Sequence, residues 1–475
     1  MTLLCETVTA TTMADLLAAR DRVTTADMVE LRLDGVADPD VTVALAGRRL
    51  PVIVTCRAKW EGGRFDGSED ERKSILKQAL DQGAEFVDVE WRAAFTDVIE
   101  RDPQRVIVSS HDFAGVPDDL AARAQAMRAT GAGVIKIAVT PSALTGTLPL
   151  MDIGRAGNAV VVGMGEAGFP SRALAERYGS LWTYAGHAVA PGQVPAERMV
   201  ADYGFRRARA TSRLFGVVST NAMHSLSPVM HNAALAAAGI DAAYVPLPTH
   251  DFGDFLAFAE AVGIEGVSVT IPFKLDALRA AAIADGVATA VGAANTLRRT
   301  DRGWEATNTD VAGFLAPLDG ALTGRLRGLR ASVLGAGGAA RAVIVALRER
   351  GVDVTLHARR AEQAATVVAD VGGRVGEWPP AESWDVLVNC TPLGGAGKRG
   401  ESPLPGGPFH GRLVYDLTYG PGPTALLAEA ARAGCETLDG LPMLVAQAES
   451  QFEWWTGRRA PIGVMEAALR TRTCI

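Results

Sequence analysis

Eight short apolar runs rich in β-branched residues recur through the first two hundred or so residues, and Ala-rich helical stretches separate most of them. Each run is continuously apolar, which is typical of a strand buried on both faces in a parallel sheet. Eight such strands, most followed by a helix, predict a (β/α)8 TIM barrel with short loops. The predicted strands are Leu3–Val8, Met28–Leu33, Val52–Cys56, Phe86–Val89, Val106–Ser109, Val134–Ile137, Val160–Gly163 and Leu181–Tyr184.

A second α/β pattern follows an arginine-rich stretch, Tyr203–Arg213, which lacks apolar periodicity and is predicted to link two domains or to end the last barrel helix. Further along, Gly335–Ala340 lies between a strand and the helix-like segment Arg341–Arg350, in the order typical of a Rossmann dinucleotide-binding unit. Strands of this second pattern are predicted at Leu214–Val218, Tyr244–Leu247, Gly266–Val269, Ala331–Leu334 and Val352–His357.

Composition narrows the class of protein. A chain of 475 residues is long enough for two to four packing units, and 47 basic against 54 acidic residues give a net charge of −7. That balance lacks the basic field that non-specific binding to nucleic acid or anionic membranes requires.

The five cysteines are far apart and the histidines form no metal-binding pair, so neither disulfides nor a metal is expected. Without a signal-peptide pattern or a membrane-length apolar run, the sequence predicts a cytoplasmic protein.

Lys136 is the most informative residue of the first half. It lies between Ile135 and Ile137 in a predicted strand, so alternation directs its side chain into the barrel, where a lysine is costly unless it projects into a cavity. Nearby arginines are expected to favour its neutral form through like-charge repulsion. A neutral lysine forms an imine with a ketone, and a histidine such as His111 can then remove a proton from the adjacent carbon. For each residue alone, an ordinary strand-end lysine or turn histidine is the alternative.

Other candidate side chains follow the remaining strands, at the barrel end where chemistry collects. Together they resemble the class I 3-dehydroquinate dehydratase family over nearly all of residues 1–205, including its Met-Gly-x-x-Gly-x-x-Ser-Arg run from Met164 to Arg172. The resemblance implies that Lys136 forms a Schiff base, that His111 is the general acid/base and that Glu61 orients it. One family serine is replaced by Val189, so one polar contact to substrate is in doubt. The implied substrate contacts are Glu30, Arg32, Arg57, Met164, Arg172 and Gln193.

The glycine turn of the second half offers the close backbone approach that a pyrophosphate needs at a helix N-terminus. The strand after it, Val352–His357, is followed by Ala358, Arg359 and Arg360 rather than by the carboxylate that would bind the 2′-hydroxyl of NAD. Two arginines can pair with a 2′-phosphate, so the sequence predicts NADP as the cofactor. Arginines that simply begin a surface helix are the alternative.

A lysine, an aspartate and several hydroxyl or amide side chains occur in short polar motifs before this turn. A lysine and an aspartate beside a nicotinamide can handle the proton that accompanies hydride transfer, while the hydroxyl and amide groups bind a polyol. Ser227 followed by Pro228 is equally an ordinary helix start. The residues concerned are Ser225, Ser227, Thr270, Lys274, Asn295 and Asp310.

This set resembles the shikimate dehydrogenase family across essentially all of residues 212–472, and later motifs at Asn389, Asp416 and Gly440 agree. The resemblance implies that Lys274 and Asp310 are the catalytic pair. Ser268, Ala358 and Gly395 depart from the family pattern, and Ala358 is expected to weaken NADP binding. The implied substrate ligands are Ser225, Ser227, Thr270, Asn295 and Gln447. The implied cofactor contacts are Gly335, Ala336, Gly337, Gly338, Ala339, Arg359, Arg360, Thr391, Gly440 and Met443.

The two resemblances concern consecutive reactions and together predict a bifunctional enzyme of aromatic amino acid biosynthesis. It would dehydrate 3-dehydroquinate to 3-dehydroshikimate and reduce that product to shikimate with NADPH, with small-molecule substrates and no nucleic-acid or membrane partner. The predicted domains are a barrel at 1–207, a substrate lobe at 212–316 rejoined by 441–475, and a Rossmann-type NADP lobe at 317–440.

Two other functions stay open. The second half could be a quinate dehydrogenase, although Arg359 and Arg360 argue against its more usual cofactor, NAD. The chain could also be a non-catalytic metabolite sensor, but such a protein is expected to lose the reacting groups. Those groups are all present at Lys136, His111, Lys274 and Asp310.

Overall fold

The computed structural model describes residues 2–187, 191–395, 397–420 and 422–473, so Val189 lies outside the described residues. No helix in these ranges is long and apolar enough to cross a membrane. By internal packing the chain forms two compact units, and the domain limits drawn from the motifs remain predictions. One unit comprises Met1–Leu214, Asn221–Met223 and Asp241–Gly263, and the other Phe215–Thr220, His224–Ile240 and Ile264–Ile475.

The N-terminal strands are β1 (Leu3–Thr9), β2 (Met28–Arg32), β3 (Val52–Thr55), β4 (Phe86–Glu90), β5 (Val106–Asp112), β6 (Val134–Val139), β7 (Ala159–Gly163) and β8 (Trp182–Ala185). They pair in the order β7-β6-β5-β4-β3-β2-β1-β8. Next to the seam between β7 and β8, the Leu181 N–H donates to the Ala159 carbonyl at 3.0 Å, so the sheet is nearly closed. The predicted α/β barrel is confirmed.

The helices of the barrel are short, because few residues separate successive strands in the sequence. Alternate residues of the strands, among them Cys5, Ile53 and Ile107, fill the barrel interior. Ser68 and Glu71 form a capping box at the start of the longest of these helices. The helices are α1 (Met13–Arg22), α2 (Val41–Leu45), α3 (Glu69–Asp81), α4 (Thr96–Arg101), α5 (Leu120–Arg128), α6 (Leu148–Arg155), α7 (Phe169–Ala173) and α8 (Ala196–Ala201).

The next elements form a mixed sheet with its own helices. They are β9 (Arg213–Ser219), α9 (Ser227–Ala237), β10 (Ala242–Pro248), α10 (Phe252–Val262), β11 (Ile264–Val269), α11 (Lys274–Ala280), β12 (Ile283–Ala284), α12 (Gly286–Val291), β13 (Thr296–Thr300), β14 (Gly303–Thr307) and α13 (Asp310–Ala321). The strand order is β10-β9-β11-β13-β14-β12. Lys274 and Asp310 are therefore each the first residue of a helix.

The remaining elements are β15 (Arg330–Leu334), α14 (Gly338–Glu349), β16 (Asp353–His357), α15 (Ala361–Val371), β17 (Arg374–Gly376), β18 (Val386–Asn389), β19 (Leu413–Asp416), α16 (Ala425–Arg432), β20 (Glu436–Leu438), α17 (Leu441–Thr456) and α18 (Val464–Thr473). Their strands form a parallel sheet in the order β17-β16-β15-β18-β19-β20. The chain reverses its direction of winding between β15 and β18, and dinucleotides bind at the carboxyl ends of strands at such a point. The predicted Rossmann-type sheet is confirmed.

Candidate active sites

One cavity at the carboxyl ends of the barrel strands contains all nine barrel residues singled out from the sequence. They come from distant parts of the chain and meet because parallel barrel strands end at one face. The cavity, of about 100 Å³, is lined by Glu30, Arg32, Arg57, Glu61, His111, Lys136, Met164, Arg172 and Gln193, together with Thr7, Gly62, Phe113, Ala138, Val162, Tyr184 and Pro191.

Lys136 is buried on β6, with two carboxylates beside its amine. Its Nζ lies 3.3 Å from Glu30 Oε1 and 3.1 Å from Asp88 Oδ2, and 4.2 Å from the centre of the Tyr184 ring. The expectation that neighbouring arginines dominate its surroundings is therefore wrong, because the closest charges are negative. An ammonium at this position forms an ion pair, so a proton must leave before the amine can attack a carbonyl.

Arg57 is held by two buried carboxylates. Its Nη2 lies 2.9 Å from Asp88 Oδ2 and its Nη1 3.2 Å from Glu90 Oε1, and Nη1 also donates to Ser109 Oγ at 2.7 Å. Burial by itself would raise the pKa of Asp88, but the charges of Arg57 and Lys136 hold that pKa well below its usual range. The charge of Arg57 is thus neutralised within the protein.

Arg172 has the opposite surroundings. The side chain is 2% exposed, and its guanidinium donates to the carbonyls of Gly163, Tyr184 and Pro191 at 3.2 to 3.3 Å. Among the described residues no carboxylate pairs with it, and burial lowers its pKa to about 10. A buried cation that lacks a protein counter-ion is suited to bind an anionic substrate group.

His111 and Glu61 form a directed pair. Glu61 Oε1 lies 3.0 Å from both the backbone nitrogen and Nδ1 of His111. A carboxylate accepts hydrogen bonds, so Nδ1 carries the proton and Nε2 is the basic nitrogen. Burial lowers the pKa of His111 well below its ordinary value and raises the pKa of Glu61 to about 7. The neutral imidazole can therefore act as a base near neutral pH.

In the C-terminal half, Lys274 and Asp310 are in direct contact, with 2.5 Å between Nζ and Oδ2. Asn295 Nδ2 donates to Asp310 Oδ1 at 2.8 Å and to Thr309 Oγ1 at 2.9 Å, while its Oδ1 accepts from the Thr309 backbone N–H at 2.8 Å. The amide of Asn295, implied to be a substrate ligand, is thus used within the protein. These contacts indicate that it positions the aspartate.

The other implied substrate ligands lie on separate elements. Ser225 Oγ accepts from the backbone N–H of Ser227 at 3.2 Å at the start of α9, a helix that has no side-chain cap. Thr270 follows β11 directly. Gln447 lies on α17 against Gly313 of α13, where a β-carbon would be 2.7 Å from Gln447 Cβ. The structure brings Lys274, Asp310 and Asn295 together and gives no direct contact that joins the other four to them.

A second cavity, of about 350 Å³, lies at the carboxyl ends of the parallel strands β15, β16 and β18. Gly335 has a φ of +100°, and a β-carbon there would lie 3.0 Å from Thr391 Cγ2, so the turn needs glycine. Gly338 is the first residue of α14, directly after this turn. It packs against the aliphatic stem of Lys274, and a β-carbon there would lie 3.0 Å from Lys274 Cδ. The lining residues are Ile271, Gly335, Ala336, Gly337, Ala358, Arg359, Arg360, Gln363, Trp378, Cys390, Thr391, Pro392, Leu393 and Lys398.

This second cavity fits a polyanionic dinucleotide. Its described lining includes three cations, Arg359, Arg360 and Lys398, and no carboxylate. Arg359 and Arg360 are exposed and have no carboxylate partner among the described residues, so both are available to a phosphate. Gly338 and Ala339 begin α14 beside this lining. Gly440 and Met443 lie elsewhere, at the start of α17, where Met443 is buried in the core.

Several residues that hold these sites were not singled out from the sequence. Asp88 and Glu90 alternate along β4, a signal that both face the barrel interior. Asn389 and Asp416 are positions of family motifs in the sequence, with no predicted role in the site. Asp416 Oδ1 accepts from Asn389 Nδ2 at 2.8 Å, and Asn389 Oδ1 accepts from Thr391 Oγ1 at 2.7 Å, which fixes Thr391 at the cavity wall.

Nowhere in the described ranges are three His, Cys, Asp or Glu side chains grouped so that they could bind a metal ion.

Family models match three parts of the chain. Residues 4–209 match type I 3-dehydroquinase. Residues 217–297 match the shikimate dehydrogenase substrate binding domain, and residues 440–470 match the shikimate 5′-dehydrogenase C-terminal domain.

Individual proteins resemble either the whole chain or its second half. A protein of Arabidopsis thaliana named bifunctional 3-dehydroquinate dehydratase/shikimate dehydrogenase, chloroplastic, is 31% identical over 473 residues, with 92% of this chain and 78% of that protein aligned. A shikimate dehydrogenase (NADP(+)) of Anaeromyxobacter dehalogenans is 41% identical over 275 residues, which are 54% of this chain and 96% of that protein. The crystal structure of Thermus thermophilus shikimate 5-dehydrogenase in complex with NADP(H) and shikimate is 35% identical, covers 55% of this chain and 99% of its own, and has a TM-score of 0.50.

Proposed function

Since the chain belongs to the family of bifunctional 3-dehydroquinate dehydratase/shikimate dehydrogenases, we propose that its two cavities carry out consecutive reactions of the shikimate pathway. The barrel cavity dehydrates 3-dehydroquinate to 3-dehydroshikimate, and the second half reduces 3-dehydroshikimate to shikimate with NADPH. The observation that carries the proposal is the burial of Lys136 in the cavity that also holds the Glu61–His111 pair and the unpaired cation Arg172.

In the barrel, Lys136 acts as the nucleophile. Glu30 and Asp88 are both within hydrogen-bond distance of Nζ and are assigned to hold the amine in place. Despite burial, neighbouring cations hold the pKa of both carboxyls below its ordinary value, so neither is assigned as the base that removes the lysine proton. The neutral amine then attacks the substrate ketone, and loss of water gives a Schiff base that acidifies the adjacent carbon. His111 Nε2 removes that proton and returns one to the departing hydroxyl, while Glu61 stabilises the imidazolium. Water then hydrolyses the imine, which breaks the C–N bond and releases 3-dehydroshikimate and the amine of Lys136.

Arg172 is assigned to the substrate carboxylate, because it is a buried arginine of the barrel cavity with which no carboxylate pairs in the part of the chain that the structure describes. Arg57, by contrast, is bound to Asp88 and Glu90 and serves mainly to keep those carboxylates ionised. Glu30, Arg32, Met164 and Gln193 line the same cavity and are assigned to the substrate hydroxyls and ring.

In the second half, bound NADPH supplies the hydride. Lys274 is assigned to donate a proton to the carbonyl oxygen of the substrate, Asp310 to hold and reprotonate the lysine, and Asn295 to hold Asp310. The backbone of Gly335, Ala336 and Gly337 is assigned to the pyrophosphate, and Arg359 and Arg360 to the 2′-phosphate.

The experiment supplies purified protein with 3-dehydroquinate and NADPH. Wild type is expected to form shikimate. The Lys136→Ala variant should form nothing from 3-dehydroquinate yet still reduce added 3-dehydroshikimate, whereas Lys274→Ala should accumulate 3-dehydroshikimate. Each variant is the matched control for the other, because each retains the activity that the other lacks. A wild-type protein that consumes neither compound would support the metabolite-sensor alternative.

We also propose a cytoplasmic location and small-molecule partners. Cys5, Cys56, Cys390 and Cys435 are free, which suits a reducing compartment. The Arabidopsis relative carries the description chloroplastic, so the compartment is a question for localisation of the tagged chain in its own cell.

A further inference from the structure

Trp378 shares the dinucleotide cavity with the two arginines assigned to the 2′-phosphate. Strands β16 and β17 are parallel neighbours, and their last residues, His357 and Gly376, pair in register. Arg359 and Trp378 each lie two residues beyond one of these strand ends. The register therefore places Trp378 beside the arginines. In the sheet order β17-β16-β15, both lie on the β17 side of the glycine turn that follows β15.

The segment that carries Trp378 is held by a buried histidine. His357 is 1% exposed, and its Nδ1 donates to the carbonyl of Glu377, the residue before Trp378, at 2.7 Å. Its Nε2 then accepts from the Ser332 hydroxyl at 3.2 Å. The imidazole lies so close to Gly376 that a β-carbon there would collide with it. Ser332, His357 and Gly376 thus tie the segment to the middle of β15 and the end of β16.

The indole itself is half-buried. It packs against the apolar cluster that includes Leu334 and Leu387, while it also lines the cavity. Packing on one side restricts the ring, so it reaches the cavity as a fixed aromatic surface. The cavity needs no such group for the phosphates, because the glycine turn and the arginines provide those contacts.

We propose that Trp378 is the stacking platform for the adenine ring of NADP and that His357 is the residue that positions it. This inference rests on the proposed function of the second half. The 2′-phosphate and the adenine are attached to the same ribose, so a base whose phosphate reaches Arg359 and Arg360 must lie within one sugar ring of them. Trp378 is the aromatic residue in the described lining of that cavity, and aromatic rings bind bases through stacking.

The test measures binding of adenosine 2′,5′-bisphosphate, which carries the base and the 2′-phosphate but no nicotinamide, by calorimetry. We expect Trp378→Ala to weaken its affinity about tenfold and Trp378→Phe to retain most of it, because phenylalanine keeps an aromatic face. His357→Ala should weaken it several-fold. His410→Ala, a histidine of the same lobe outside the cavity lining, is the matched control and should leave the affinity unchanged.

Kinetics give a second measurement. With NADPH, Trp378→Ala should raise KM about tenfold and leave kcat within about twofold, because stacking is equal in the ground and transition states. With reduced nicotinamide mononucleotide, which lacks the adenosine half, Trp378→Ala and wild type should be equal. Activity with reduced nicotinamide mononucleotide reports that the lobe carrying Trp378 is folded, and dehydratase activity of the same preparations reports this only for the barrel.

Different outcomes overturn different claims. Equal affinity of wild type and Trp378→Ala for adenosine 2′,5′-bisphosphate would overturn the stacking assignment. The assignment would also be overturned if Trp378→Ala lost as much activity with reduced nicotinamide mononucleotide as it loses with NADPH. The tryptophan would then stabilise the lobe rather than bind the base. A wild-type protein that binds no adenosine 2′,5′-bisphosphate would instead contradict the NADP function itself.

Discussion

At the scale of single residues, the two buried arginines of the barrel cavity differ in what surrounds them. Arg57 contacts Asp88 and Glu90, whereas the described contacts of Arg172 are all carbonyl oxygens. The same side chain at two positions of one cavity therefore has two different roles. Arg57 completes an ion-pair network within the protein, and Arg172 is the residue that we propose binds the substrate carboxylate.

Replacement of each arginine by methionine should separate these roles. Arg57→Met removes one of the two cations that contact each of two buried carboxylates, Asp88 and Glu90, and should destabilise the protein by about 3–5 kcal/mol. Arg172→Met removes three hydrogen bonds to carbonyls together with a buried cation that pairs with no carboxylate among the described residues. Because these two effects oppose each other, the variant should lose less stability than Arg57→Met, while KM for 3-dehydroquinate rises about 10- to 100-fold. Denaturant unfolding and steady-state kinetics measure the two effects. Similar losses of stability in both variants would contradict the assignment.

Glu61 makes the dehydratase reaction sensitive to pH near neutrality. Burial raises its pKa to about 7, against the opposing charge of Arg57 and with the support of the Glu90 and Asp88 charges. Protonation as the pH falls through that value weakens the hydrogen bond to His111 Nδ1, so kcat/KM should fall on the acid side of about pH 7. Glu61→Gln should lower kcat by about 100-fold and remove this acid limb. A wild-type profile that is flat between pH 6 and 8 would be inconsistent with the pairing.

At the scale of elements, helix starts and strand ends carry most of the candidate chemistry. Lys274 and Asp310 are the first residues of α11 and α13, and Arg360 directly precedes α15. Lys274 and Asp310 follow strands of the mixed sheet, and Arg360 follows a strand of the separate parallel sheet. A change in the turn or cap of one element therefore affects the site as well as stability.

The glycine turn before α14 illustrates this coupling. Gly335→Ala places a side chain at a φ of +100° and against Thr391, which should cost about 1–3 kcal/mol of stability. The same collision should move the turn away from the pyrophosphate and raise KM for NADPH. Gly320→Ala, in α13 and outside the lining of the cavity, where no atom lies within 4 Å of the added carbon, is the matched control. Comparable effects of the two changes would show that the positive φ is not the cause.

The capping box of α3 gives a prediction confined to stability and the barrel. Ser68 Oγ accepts from the Glu71 N–H at 3.2 Å, and Glu71 accepts from the Ser68 N–H at 2.7 Å. Ser68→Ala should cost about 1 kcal/mol. Because α3 also carries Arg72, the partner of Glu90, thermal inactivation of the dehydratase should begin earlier, and kcat at 25 °C should stay unchanged. Activity assays after timed heating measure this.

At the scale of the whole molecule, the second half should depend on its cofactor for stability. A ligand that binds the folded state at 100 times its Kd stabilises it by about 2.7 kcal/mol. NADP should therefore raise the temperature at which dehydrogenase activity is lost, and NAD at equal concentration should raise it less because Arg359 and Arg360 would lack a 2′-phosphate. Equal protection by the two nucleotides would contradict the predicted preference.

Much of this architecture follows from sequence pattern. The eight apolar runs predicted the starts of the barrel strands to within one residue and their ends to within three, and the glycine turn predicted the parallel nucleotide sheet. The spacing of apolar residues and the residue types of a turn are local properties, so they can be detected in the sequence itself. The family motifs likewise pointed to Lys136, His111, Lys274 and Asp310 before any distance was known.

The charges and orientations around those residues depend on tertiary structure. Asp88 reaches Lys136 across two strands, and the Asn295 amide is used by Thr309 and Asp310. His357 reaches a carbonyl 20 residues away. Sequence determined which side chains are available and which fold brings them to one edge. Only the three-dimensional packing decided which of them neutralise one another and which are left for a ligand, because the interaction of buried charges depends on distances that no local pattern records.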